Sequence, residues 1–297
     1  MIKIGNCPDS WGVWFDQNEK QPDWHVYLDE VAAAGYKYTE TGPYGYMTPD
    51  PQELKEELDK RGLEAVATTV MLNLENDEET RKVIETSEAA CRRLRAVGGK
   101  YYIIMDGMYT DLITDEPLCP AELTEREFDR LCSNYRELAA AAREYGVVPV
   151  FHPHGGTHVE TEAQIDRMIS SIPREELRFC FDTGHHIYVQ GNDVYAYTEK
   201  IADQIELLHF KDLVPEIKEQ CWKENIPYAT ATKKHVFAEI GRGQIDWKRY
   251  GEILKKIGYD GYAVIEHDCY PPIPGQSLEI QKRTGKYLES IGCGALR

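Results

Sequence analysis

The strongest constraint on this chain is a rhythm. Short apolar, β-rich segments alternate with amphipathic helical ones eight times between Ile2 and Ile291. The strand-like segments run Ile2 to Cys7, Tyr36 to Thr41, Glu64 to Met71, Tyr101 to Met105, Val147 to His152, Arg178 to Phe181, Glu206 to Asp212 and Tyr262 to Asp268. Helical patterns follow each, with recognisable punctuation: Asp50-Pro51 opens one, and Thr124 with Glu127 spells a capping box. Gly35, Gly62, Gly98, Gly146 and Gly258 close others. Strict alternation requires parallel strands joined by helical crossovers. Closing eight such units gives an α/β fold, a (β/α)8 TIM barrel, as a single domain over residues 1–297. An open doubly wound sheet is the rival, and it lacks support because no GxGxxG follows the first strand.

In a barrel of this kind, chemistry sits at the C-terminal ends of the strands. Those positions hold Glu40, His152 with His154, Asp182 with His185, His209 with Lys211, and Glu266 with Asp268. Eight of the nine histidines lie after residue 151, so imidazole is concentrated on the last four strands. Residues two apart on a strand share a face, and Pro153 holds its predecessor extended, so His152 and His154 point the same way. His152, Asp182, His209 and Glu266 together offer two imidazoles and two carboxylates. That mixture suits a divalent metal of intermediate hardness, Mn²⁺ or Co²⁺, with Zn²⁺ as the next choice. The plain alternative for each residue alone is a strand-end polar group bonded to a neighbouring loop. Asp182 before Thr183-Gly184, for example, also fits a helix cap.

Composition narrows the classes. The net charge of −17 argues against nucleic-acid partners, which require a basic face. No apolar run reaches membrane-spanning length, and Met1-Ile2-Lys3-Ile4-Gly5 starts directly on a strand pattern, so neither a membrane helix nor a targeting segment is expected. Eight scattered cysteines without a CxxC pair are expected to be reduced thiols in a cytoplasmic protein.

Four stretches carry a family resemblance: Pro8-Asp9-Ser10-Trp11-Gly12-Val13-Trp14, Gly42-Pro43-Tyr44-Gly45-Tyr46, Asp182-Thr183-Gly184-His185 and His209-Phe210-Lys211-Asp212. The sequence resembles the xylose-isomerase-like barrel superfamily over nearly its whole length, and within it the inosose dehydratases. The resemblance implies that His152 occupies a metal-ligand position held by glutamate in related epimerases and isomerases, with Asp182, His209 and Glu266 matching the other three ligands. A metal-bound imidazole cannot shuttle protons as that glutamate does, which disfavours two-base epimerisation and leaves elimination open.

The corresponding chemistry is enolisation. A metal polarises a ketone, a base removes the adjacent C–H, and an acid assists loss of hydroxide from the next carbon. His154, His185, Glu40 and Lys211 are the candidate acid and base groups; for Glu40 and Lys211 the alternative is an ion pair lining the mouth. Trp11, Trp14, Tyr44, Tyr46 and Tyr109 are candidate apolar walls for a polyol ring.

The leading expectation is a metal-dependent hydro-lyase acting on a keto-inositol. A keto-sugar isomerase or epimerase, or a lyase eliminating the aglycone of a 3-keto-glycoside with a partner subunit, shares the same first step. An endonuclease-like trinuclear centre would need histidines on earlier strands, and the third ends in Thr68-Thr69-Val70-Met71. A non-catalytic polyol-binding barrel is the remaining alternative. The expected partner is a small polyol or keto-sugar, with a homo-oligomer or small partner subunit left open.

Overall fold

The protein is described here from a computed structural model covering residues 1–189 and 193–297. Its parallel strands occupy eight staves. These are β1 (Lys3–Asn6), β2 (Tyr38–Thr39), β3 (Glu64–Ala65 and Ala67–Leu72), β4 (Tyr101–Asp106), β5 (Val148–Phe151), β6 (Arg178–Asp182), β7 (Ile205–Phe210) and β8 (Tyr262–Ile265). The hydrogen-bonded order runs from the first half of β3 through β2, β1, β8, β7, β6, β5 and β4 to the second half of β3. The two ends of the sheet therefore meet on one stave, at Val66. Its N–H donates to Thr39 O, while its own carbonyl accepts from Lys100 N and Tyr101 N. The barrel expected from the rhythm is present, with nine strand segments because β3 is broken at that residue.

Two apolar layers form as the sheet curls. Cys7, Tyr38, Tyr101, Ile103, Val150, Cys180, Leu207 and Val264 plug the barrel interior. Their sequence neighbours Phe151, Phe179, Phe181, Leu208 and Ile265, with Phe210 beyond His209, pack outward against the helices. The period-2 alternation then sets the chemistry of the mouth. Two residues beyond five of these plugs comes a polar side chain: Glu40 after Tyr38, His152 after Val150, Asp182 after Cys180, His209 after Leu207, Glu266 after Val264.

Helix starts follow the expected chemistry. Asp50 accepts from Gln52 N and Glu53 N, and Thr124 with Glu127 forms the reciprocal capping box. Such caps contribute roughly 1 kcal/mol each. The stretch between β7 and the helix Trp247–Lys256 was not legible as structure. It holds the helices Pro215–Lys223 and Tyr228–Lys233, and a small antiparallel pair, Asp212–Leu213 with Phe237–Ala238. Helices this short are marginal alone and form here by packing on the barrel. Another short helix, Thr183–Val189, follows Asp182 directly, and the Asp182 Oδ1 caps it by accepting from His185 N at 2.7 Å. Among the described residues, no helix is long and apolar enough to cross a membrane. All eight cysteines are free.

Candidate active site

At the C-terminal mouth the side chains of β5 to β8 converge in a buried cluster. His152 Nε2 lies 3.0 Å from His209 Nδ1, 3.8 Å from Asp182 Oδ2 and 3.9 Å from Glu266 Oε2. His209 Nδ1 is in turn 3.0 Å from Glu266 Oε2 and 3.9 Å from Asp182 Oδ2. The structure thus brings together the four residues singled out as metal ligands. Two observations test whether they fit an ion. Asp182 Oδ2 is buried without a hydrogen-bond partner, a costly state for a carboxylate oxygen unless something else satisfies it. The spacings of 3.0 to 3.9 Å also suit donors that share an ion, since ligands at about 2.1 Å from a metal stand about 3 to 4 Å apart. The residues fit. His185 lies in the same reach as His152, Asp182 and Glu266 and widens the donor set.

The candidate acid and base groups are distributed less evenly. Glu40 is buried beneath the cluster, where its Oε1 faces His209 Nε2 at 3.0 Å. With Nδ1 directed at the cluster, His209 donates from Nε2 to Glu40, an arrangement that fixes the tautomer of a ligating imidazole. Lys211 Nζ reaches Glu266 Oε2 and Asp268 Oδ2 at 3.0 Å each and Asp182 Oδ2 at 3.6 Å. Burial opposes its charge, but Asp182, Asp268 and Glu266 outweigh it and hold the ammonium well above the ordinary lysine value. Reciprocally, burial would raise Glu266, and Lys211 and His209 overcome it to keep the carboxylate ionised. His185 faces two donors, Gly155 N at 3.1 Å and Lys211 Nζ at 2.7 Å. A neutral imidazole has one lone-pair nitrogen, so only one contact is a full hydrogen bond.

His154 differs from the rest. Its Nδ1 donates to Gly155 O at 2.8 Å, so the neutral ring carries its lone pair on Nε2. The residue lines a cavity at the barrel mouth together with Asp9, Glu266, Asp268 and Tyr228. Burial, then Lys211 and His152, depress its pKa well below the usual histidine value, so the imidazole remains neutral. A half-buried, neutral imidazole with a free lone pair facing a cavity is a competent proton acceptor.

Two residues outside the expected set join this cavity. Asp9, in the turn Pro8–Trp11 after β1, is pushed well above the ordinary carboxyl value by burial and by Glu266 and Asp268. The signal was present: Asp9 continues the i+2 alternation from Gly5 through Cys7. Tyr228 donates to Asp268 Oδ2 at 2.5 Å from a helix that had no sequence signature. Of the proposed aromatic walls, Trp14 lines the cavity, stacked on Tyr270 at 4.8 Å between centroids. The other four do not line it. Trp11 is buried with its Nε1 on Glu30, Tyr44 lies under the Arg93 guanidinium, Tyr46 bonds Pro22 O, and Tyr109 faces a separate cavity behind Tyr228. Loop curvature, invisible to strand periodicity, turns them away. Arg242 is an exposed partner of Glu239.

Beside the site, His158 braces the ends of β4 and β5. Its Nδ1 meets Asp106 Oδ2 at 2.7 Å and its Nε2 meets Pro120 O at 3.0 Å. Both partners are acceptors, so both bonds exist only in the imidazolium. Burial pulls the pKa down, but Asp106 outweighs it and the value is raised above 6.5. A raised folded value means the stabilisation is complete below the unfolded pKa and is lost as pH rises through the folded one. The melting-temperature gap between the wild type and His158→Asn should therefore narrow as pH rises above about 6.5, the ordinary histidine value. A gap that widens with pH would remove the imidazolium.

Comparison with known proteins agrees with this geometry. The family model described as xylose isomerase-like TIM barrel matches residues 28–291. The chain is 29% identical to an inosose dehydratase of Lacticaseibacillus casei, covering 97% of each, and 28% identical to one of Clostridium beijerinckii, covering 97% of this chain and 96% of the relative. Among solved structures, an L-ribulose 3-epimerase superposes with a TM-score of 0.73 at 17% identity, over 98% of this chain and 94% of that one. A 3-keto-D-glucoside 4-epimerase from E. coli gives 0.69 at 16% identity, over 98% and 100%.

Proposed function

The chain belongs to the xylose isomerase-like TIM barrel family, and from that premise we propose that it is a metal-dependent hydro-lyase converting 2-keto-myo-inositol to a trihydroxycyclohexane dione. The observation that carries this reading is one cavity wall holding both Glu266, from the donor cluster, and the neutral His154. The whole-length similarity to inosose dehydratases supports the choice of substrate. His152, Asp182, His209 and Glu266 would hold a divalent cation, which supplies Lewis acidity toward a ketone. Mixed nitrogen and carboxylate donors favour Mn²⁺ or Co²⁺, with Zn²⁺ next, over Mg²⁺.

The chain's own groups then divide the proton transfers. His154 Nε2 accepts the proton from the carbon next to the ketone. Asp9, which lines the same cavity beside Glu266, is placed to donate to the departing hydroxyl, so water leaves and an enol tautomerises to the dione. Glu40 orients His209, and Tyr228 orients Asp268. His152, as a ligand imidazole, is not free to act as a second base, which supports elimination over epimerisation. The free cysteines fit a reducing cytoplasmic setting.

The test is to incubate the protein with Mn²⁺ and 2-keto-myo-inositol in deuterated water and follow the substrate by NMR. The expected result is dione carrying solvent deuterium on the deoxygenated carbon. Carbon-bound deuterium without loss of water would replace the dehydratase by an epimerase or isomerase. No exchange by the metal-loaded protein would end the enzyme reading for this substrate.

A further inference from the structure

A second cavity, of about 400 Å³, opens behind Tyr228, with none of the four cluster residues in its wall. Tyr228 is the partition: it lines both cavities, and its hydroxyl donates to Asp268 Oδ2 at 2.5 Å. Tyr109, Tyr188 and Trp222 add aromatic wall from the segments after β4, β6 and β7. Tyr188 meets Tyr228 edge to face, with 5.5 Å between centroids, so two of the rings form a corner.

The charge in this wall is one-sided. Glu160 is half-buried, its Oε2 accepts from Gly156 N at 2.7 Å, and the Tyr109 hydroxyl lies beside it. Burial pushes its carboxyl above the ordinary value, and the Gly156 N–H and the His158 charge offset that only in part. His158 is itself engaged by Asp106 and Pro120 O. Among the described residues, no lysine or arginine lines the cavity. Lys218 lies 5.4 Å from the centroid of the Trp222 ring, but its ammonium donates to Ile187 O. A carboxylate drawn out of water without a counter-ion is unfavourable, and the faces of aromatic rings attract cations. The same negative charge disfavours an anion, and a metal ion would find a single carboxylate.

We propose that this second cavity binds a small alkylated ammonium, with Glu160 as its counter-ion and the tyrosine and tryptophan rings as its walls. Alkyl groups on nitrogen pack against the rings and leave the cation less firmly hydrated than a bare ammonium. The site requires neither a metal nor the elimination chemistry, so it stands or falls separately from the proposed function.

Isothermal titration calorimetry on the Mn²⁺-loaded protein compares choline with its uncharged isostere, in which a tert-butyl group replaces trimethylammonium. Choline is expected to bind saturably, about tenfold or more tightly than the isostere. Glu160→Gln keeps an oxygen for the Gly156 N–H but removes the charge, and should erase most of that preference. Tyr109→Leu keeps apolar bulk and removes one ring, and should weaken choline about three- to tenfold while leaving the isostere nearly unaffected. Melting curves check that both variants are folded, and the wild-type comparison stands even where one of them is not. No saturable binding of choline, or equal affinity for the two compounds, overturns the proposal. So does choline binding undiminished in both folded variants, which would place the cation in the acidic cavity beside Glu266 and Asp268 instead.

Discussion

Asp182→Asn is expected to lose the bound metal and to lower the elimination rate by about a thousandfold or more, while the barrel stays folded. The asparagine oxygen can keep the short bond from His185 N that starts the helix Thr183–Val189. What disappears is the negative charge on the buried atom that has no hydrogen-bond partner in the protein, Asp182 Oδ2. Lewis-acid assistance contributes several kcal/mol to such reactions, and each 1.4 kcal/mol is about tenfold in rate. The scaffold does not depend on the ion, because the staves are closed by main-chain bonds and by apolar layers within and around them. Elemental analysis of the purified variant, with its melting curve, checks both halves. Wild-type metal stoichiometry in a folded Asp182→Asn protein would remove the carboxylate from the ligand set.

The second large effect belongs to His154. Replacing it with alanine should leave metal content unchanged and slow α-proton removal by roughly two to four orders of magnitude, the usual contribution of a positioned general base. The argument is local. Gly155 O fixes the ring proton on Nδ1, the burial that keeps the ring neutral is reinforced by Lys211 and His152, and Nε2 is left for the substrate. The His185 ring lies 3.8 Å from that of His154, tilted at 41°, but its nitrogens face the Gly155 N–H and the Lys211 ammonium. Measured as deuterium exchange, the effect is isolated from the later departure of the leaving group. An unchanged exchange rate in a metal-loaded His154→Ala protein would transfer the role to His185.

The strand ends were readable in the sequence because alternation along a strand is a local property. Val150, His152 and His154 declare a shared face without reference to the rest of the chain. The same logic found Asp182, His209 and Glu266, and the eight-fold rhythm supplied the ring on which they meet. Asp9 and Glu266 become neighbours only because β1 pairs with β8, with Asn6 opposite Ile265. That proximity is a consequence of closure and has no local signature. Tyr228 was missed for a different reason: its helix is one and a half turns long and is held by tertiary packing, which propensity cannot register. Glu40 and Lys211 were placed at the mouth correctly as positions, but depth decides their partners, and depth is not written in periodicity.

The alternation within the staves also makes the site a matter of reading frame. Deleting one residue from β7 ahead of His209 would turn Phe210 into the mouth and carry the imidazole out among the helices, with the hydrogen-bond ladder still available. Deleting two would restore the parity and lower the imidazole by one step into the plug of Leu207, Cys180 and Val264. The barrel thus stores the pattern of its mouth as a phase as well as a composition, and a single-residue insertion within a stave would scatter the buried cluster at once, even where His152, Asp182, His209 and Glu266 all survive in the chain.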